Sequence, residues 1–202
     1  MKLYYSPGAC PLSPHIVLCE AGLSAELIKV DLQAGQTENG DDFKAINPNG
    51  YVPVLVLDNG ETLSEGPAIV QYLADQVPDK QLVPVAGSFE RYRLQQWLNF
   101  ISTELHKGFS ALFNPAIPEE YRQMAKTTLA SRLDHVANHL SKNTFVMGDS
   151  FTVADAYLFV ILSWGPYVEF DLSAWPSLGE FSARIASRPA VQQALKEEGL
   201  LS

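Results

Sequence analysis

A chain of 202 residues, 47% hydrophobic and 18% charged, has enough apolar side chains for a full core and reads as globular, with one or two domains. Fourteen Lys and Arg against twenty-three Asp and Glu leave a net charge of -9, which opposes binding to nucleic acid phosphates or anionic lipid, so an anionic ligand needs a local positive site. No apolar run approaches the roughly 18 residues of a membrane span, and Lys2-Leu3-Tyr4-Tyr5 enters a strand pattern without a signal-peptide core, which predicts a cytoplasmic protein.

Up to about residue 80, short strand and helix signals alternate. Leu3 to Ser6 reads as a strand. Cys10-Pro11 opens a helix whose Leu12, Ile16 and Cys19 fall at i, i+4 and i+7, and Gly22 closes it. A second strand runs from Leu27 to Asp31, followed by a helical turn around Asp42 to Ile46. Val54 to Leu57 is a continuous apolar strand that Asp58-Asn59-Gly60 turns back into Thr62-Leu63 as a hairpin. Gly66-Pro67 starts another helix, with Ile69, Val70, Tyr72 and Leu73 on its apolar side. The order is β-α-β-(α)-β-β-α.

Val77 to Gly87, with two prolines and small residues, is the linker candidate, so the expected division is 1–80, a linker at 81–87, and 88–202. Helical grammar follows. Leu94, Leu98, Ile101, Leu105 and Leu112 recur at helical spacing, and Pro118-Glu119-Glu120 suits a helix N-terminus. Thr152-Val153-Ala154-Asp155 is a capping box with Asp in place of Glu, ahead of the apolar run Ala156 to Leu162. Further helices begin near Pro176 and Pro189.

Cys10 is the leading candidate for chemistry. At a helix N-terminus a thiol faces unpaired N–H groups and the positive end of the dipole, which favour the thiolate; the alternative is a small apolar residue capping a buried helix. Cys19 shares the helix's apolar face and reads as packed core. Val52-Pro53, ahead of a strand, is either a cis bond beside which a peptide pairs with Val52, or an ordinary trans entry. Glu65 and Gly66 sit at a helix start, where free N–H groups hold a carboxylate and Glu65 receives an ammonium; the alternative is a helix cap with an acid placed for the dipole. Asn99, Thr103 and His106 form a polar stripe at i, i+4 and i+7, beside Lys107. Two cysteines nine residues apart make no zinc set, and His135 and His139 lack a third ligand and read as surface residues, so no metal is expected.

Taken together, Tyr5-x-Pro7-Gly8-Ala9-Cys10, Asn47-Pro48-x-Gly50-x-Val52-Pro53, Leu63-x-Glu65-Gly66-x-Ala68-Ile69-x-Gln71-Tyr72-Leu73, Glu104-Leu105-His106-Lys107 and Phe151-Thr152-Val153-Ala154-Asp155 resemble the bacterial beta-class glutathione transferases from end to end. Ala9-Cys10 combined with His106-Lys107 is the pairing most specific to that class. The resemblance implies an α/β plus all-α fold: a thioredoxin-like glutathione-binding domain, then an all-helical domain contributing the electrophile site. It implies catalysis through Cys10 and His106, and glutathione as co-substrate held by Cys10, Val52, Pro53, Glu65, Gly66, Asn99, Thr103, Glu104, His106 and Lys107. Asn99 and Thr103 match positions reaching the glutathione of a neighbouring subunit, hence a homodimer.

The reaction implied is attack of the glutathione thiolate on a hydrophobic electrophile, with thiol–disulfide exchange through Cys10 beside it. A glutaredoxin-like disulfide reductase and a non-catalytic adaptor of the same fold are the alternatives. Many relatives carry a lysine where this chain has Gly35, which leaves the glycyl carboxylate to His106, Lys107 or water. Tyr5 ranks as a packing residue, and Phe109, Phe113, Trp164 and Tyr167 are expected either to line the electrophile pocket or to serve the core.

Overall fold

The computed structural model describes residues 1–201, and its packing divides the chain into two compact units. One comprises Met1–Gln81 together with the segment from Arg188 onward; the other is Leu82–Ser187.

In the first unit, β1 (Lys2–Tyr5), β2 (Glu26–Asp31), β3 (Gln36–Thr37), β4 (Val54–Val56) and β5 (Thr62–Ser64) form one mixed sheet in the order β3-β2-β1-β4-β5. β1 and β2 are parallel and so require a crossover, which α1 (Leu12–Ala21) supplies. β4 runs antiparallel to β1, and β5 folds back on β4 through the expected Asp58-Asn59-Gly60 turn. Alternation along β1 sends Tyr4 to one face, where it is buried with Ile28, Val30, Val54 and Phe43 of the one-turn helix α2 (Phe43–Ile46). Leu3 and Tyr5 point to the other face. Helix α3 (Gly66–Asp75) packs on α1, and every α1 residue from Leu12 to Leu18 is buried. The edge strand β3 escapes the sequence reading because two residues show no alternation.

The other neighbour of α1 comes from the far end of the chain. Helix α9 (Pro189–Glu197) packs against α1, burying Val191 and Ala194, so the helical half expected at 88–202 surrenders its last helix to the first unit. Polar contacts fix the pair: Arg188 grips the Glu20 carboxylate at 2.5 and 3.0 Å. His15, 2% exposed, meets Glu197 through Nε2 at 2.7 Å and Glu198 through Nδ1 at 3.0 Å. The second Glu198 oxygen accepts the Gly8 N–H at 2.9 Å. Burial works against protonation of His15, but hydrogen bonds to Cys19, Glu198 and Glu197 outweigh it and push the imidazole up to about 10.

The second unit contains α4 (Phe89–Phe100), a π-helical stretch (Ile101–His106), α5 (Lys107–Leu112), α6 (Glu119–Leu140), α7 (Val153–Leu162) and α8 (Pro176–Ala186). Every residue of α7 is buried, as expected of a helix apolar on all sides, and α4 and α8 pack around it. Its start is held by Asp155, fully buried, which accepts the N–H of Val146 at 2.7 Å, the N–H of Thr152 at 2.8 Å and the Thr152 hydroxyl at 3.0 Å. The expected capping box is present, and its acid also anchors the preceding loop. Leu94, Leu98, Ile101, Leu105 and Leu112 are all buried as their spacing predicts.

Candidate active site

In the first unit the candidate residues form one contiguous patch. Cys10 lies in a tight turn in which the Ala9 carbonyl accepts the Leu12 N–H and the Cys10 carbonyl accepts the Ser13 N–H, so α1 starts two residues beyond the thiol. The half-buried Cys10 Sγ donates to the Val52 carbonyl at 3.4 Å. The Val52-Pro53 bond is cis, one of the two readings its sequence allowed. Pro53 in turn approaches Gly66, where an added Cβ would lie 3.9 Å from its Cγ. Thiol, peptide-pairing segment and helix start are therefore neighbours.

Glu65 joins β5 to α3 with φ 68° and ψ 110°, a conformation that costs a non-glycine residue about 1–3 kcal/mol. Its carbonyl accepts the Ala68 and Ile69 N–H groups, which is how α3 holds the residue there. The side chain makes no capping bond, which leaves the helix dipole as its structural reason. Tyr5 is 9% exposed, and its phenol is raised above its ordinary 10, first by burial and then by Glu198 and Glu38, which suits packing and not acid–base work.

In the second unit the candidate stripe is split. Asn99 and Thr103 remain exposed, with the Thr103 hydroxyl donating to the Asn99 carbonyl at 3.1 Å. His106 instead turns inward, its Nδ1 2.6 Å from the Tyr157 hydroxyl and its ring edge-on to Trp164 at 4.9 Å. The π-helical stretch over Ile101–His106 is the reason, because a wider turn rotates the residue after it off the i, i+4, i+7 line. Glu104, on the same stretch, accepts from Arg132 at 2.7 Å. Burial, and then the Lys107 charge, lower the His106 imidazole to about 4, so it is neutral at physiological pH.

Other expectations need correction. Cys19 is only half-buried; the recess it lines lies at the α9 side of α1, which the local sequence does not reveal. His139 is not a bare surface residue: its Nε2 meets the Val146 carbonyl at 2.9 Å and its ring lies on Trp97 at 4.7 Å, with His135 stacked on the same indole. Phe109 and Trp164 are core, whereas Phe113 and Tyr167 are 47% and 73% exposed because a loop and a short 3-10 turn carry them outside the buried faces. Tyr157 and Arg132, which hold His106 and Glu104, went unnoticed; the apolar run around Tyr157 conceals its one polar atom.

Two family models match the chain: the glutathione S-transferase N-terminal domain over residues 9–76 and the glutathione S-transferase C-terminal domain over residues 100–189. Glutathione S-transferase GstA of Escherichia coli O157:H7 is 49% identical over 200 residues, covering 99% of this chain and all of the relative. A solved ternary complex of BphK, a bacterial transferase, is 60% identical with a TM-score of 0.98, covering 99% of this chain and 100% of that one. A sphingomonad glutathione S-transferase, solved with glutathione bound, is 48% identical with a TM-score of 0.96, at 99% and 100% coverage.

Proposed function

The chain belongs to the glutathione S-transferase family, in its beta class, and from that premise we propose that it transfers the glutathione thiol to hydrophobic electrophiles, with Cys10 exchanging disulfides with glutathione beside that reaction. The observation that carries this reading is the 3.4 Å contact of Cys10 Sγ with the Val52 carbonyl, flanked by the strained Glu65. A carbonyl oxygen has two lone pairs, so Val52 can keep the thiol and still accept a peptide N–H. Glutathione paired antiparallel to Val52 brings its cysteine alongside Cys10. Its γ-glutamyl carboxylate then meets the start of α3, a ten-residue helix, and its ammonium meets Glu65.

From the helical unit we assign His106 to the glutathione sulfur and Lys107 to the glycyl carboxylate, with Asn99, Thr103 and Glu104 as further polar contacts. A neutral His106 is a poor proton acceptor and carries no charge, so its contribution is a hydrogen bond: in the tautomer whose Nδ1 accepts from Tyr157, Nε2–H is the donor left for a thiolate. Lys107 is exposed and cationic and takes the place of a lysine at Gly35. We also propose a homodimer and a cytoplasmic setting; among the described residues no helix is long and apolar enough to cross a membrane.

In the exchange step the Cys10 thiolate attacks one sulfur of oxidised glutathione, forming a Cys10–glutathione disulfide and releasing one glutathione thiolate. Intact mass after incubation with oxidised glutathione, on wild type and Cys10→Ala, tests this alongside conjugation of an activated aryl halide. The expected result is a single adduct in wild type, none in the variant, and conjugation measurable in both but lower in the variant. No adduct and no conjugation at saturating glutathione would sink the reading.

A further inference from the structure

A second cluster of reactive side chains lies at the other end of α1. His15 and Cys19 stand four residues apart and therefore on one helical face, and α9 brings Glu197 against them. His15 Nε2, Cys19 Sγ and a Glu197 carboxylate oxygen all lie within 4.8 Å of one another. The three donors open onto a cavity of about 330 Å³ whose wall includes Gly22, Ser24 and Gln193, room for a water as a fourth ligand. Behind them sits a buried orienting group. Glu198, whose side chain is fully buried, takes His15 Nδ1 at 3.0 Å and the Gly8 N–H at 2.9 Å, which aims Nε2 at Glu197. A carboxylate behind a histidine ring is the arrangement that metal sites use to fix a ligating imidazole.

We propose that His15, Cys19 and Glu197 form a binding site for a zinc-type divalent cation, completed by water and oriented by Glu198, that ties α1 to α9. Imidazole, thiolate and carboxylate together suit zinc, whereas an all-oxygen set would suit magnesium or calcium. Zinc bonds of about 2.0–2.3 Å place neighbouring donor atoms roughly 3.5 Å apart. The 2.7 Å contact from His15 to Glu197 must then open by somewhat under an ångström, and Glu197, 42% exposed, is free to swing. The expectation of no metal failed to register this cluster because Glu197 is remote in sequence from the His15-x-x-x-Cys19 pair. The proposal is independent of the glutathione site.

The test is titration of the full chain with Co²⁺ under a non-thiol reductant, read by absorption, then displacement by Zn²⁺. One Co²⁺ per chain with a thiolate-to-cobalt charge-transfer band is expected in wild type and in Cys10→Ser. Cys19→Ser, at a half-exposed position, should lose the band, and Glu197→Gln should weaken binding by about tenfold or more. Zn²⁺ should raise the melting midpoint of wild type but not of Cys19→Ser. A band that follows Cys10, a band that survives Cys19→Ser, or no binding in wild type overturns the proposal.

Discussion

The Tyr157 hydroxyl lies 2.6 Å from His106 Nδ1, and it does so from a residue only 2% exposed. A buried tyrosine at that distance fixes the ring orientation of the imidazole, while burial and Lys107 hold it near 4. An NMR titration of the His106 ring should therefore show a midpoint near 4 and no transition between pH 5.5 and 8, to within about one pH unit. Tyr157→Phe should cost about 1–2 kcal/mol of stability by leaving Nδ1 without this bond, and should lower kcat more than it raises KM for glutathione. A midpoint near 6.5 would refute the neutral-donor role.

Asp155 titrates in the opposite sense. Burial raises its carboxyl from 3.8 to about 6, although hydrogen bonds from Val146, from Thr152 and from its own backbone pull it down. The folded state thus holds this proton more tightly than the unfolded chain, so the contribution is complete below pH 3.8 and is lost as pH rises through 6, on the order of 3 kcal/mol. His106, lowered in the fold, contributes stability above 6.5 that is lost as pH falls toward 4. The two slopes oppose each other. Asp155→Asn should make stability rise between pH 4 and 6 more steeply than in wild type, as followed by urea midpoints. Equal slopes in the two proteins would rule out a raised Asp155.

How much of this was legible depended on distance along the chain. The Gly22 stop, the Asp58-Asn59-Gly60 hairpin, the Thr152–Asp155 box and the leucine spacing of α4 are local, and local chemistry determines them. The polar stripe at Asn99, Thr103 and His106 was misread because an α-helical period was assumed across a π-helical stretch, which no residue type marks. The clasp of Glu197 and Glu198 on His15 joins residues more than 180 apart in sequence, so neither helix announces it. Cys10, Val52 and Glu65 were found from their positions at turns and helix starts, but the backbone strain at Glu65 appears only in the structure.

That strain makes Glu65 a test of the ligand reading. Glycine adopts φ 68° without the Cβ clash, so Glu65→Gly should raise stability by about 1 kcal/mol in denaturant melts. The same change removes the carboxylate assigned to the ammonium of glutathione, so KM for glutathione should rise by about tenfold or more. Gain in stability with loss of affinity is the signature of a functional residue held at a cost. A variant less stable than wild type, or one with unaltered KM, would leave the glutamate as a structural cap.

Helix α9 belongs with α1 by packing, although a division by sequence order places it in the helical half. Its removal has consequences that distinguish the two views. A chain ending at Ser187 loses Val191 and Ala194 from the core, the Arg188 grip on Glu20, and both carboxylates facing His15. His15 would then be an imidazole with no anionic partner, and breaking such a buried charge network costs about 3–5 kcal/mol before any lost apolar area is counted. Amide hydrogen exchange should therefore show protection collapsing in α1 and β1, whose backbone carries Cys10 between them, while α6 and α7 keep theirs. Because the thiol turn at Ala9–Leu12 begins where Gly8 is tied to Glu198, the adduct with oxidised glutathione should be lost along with that protection. Exchange that instead rises in α7 and α8 while α1 stays protected would return α9 to the helical unit.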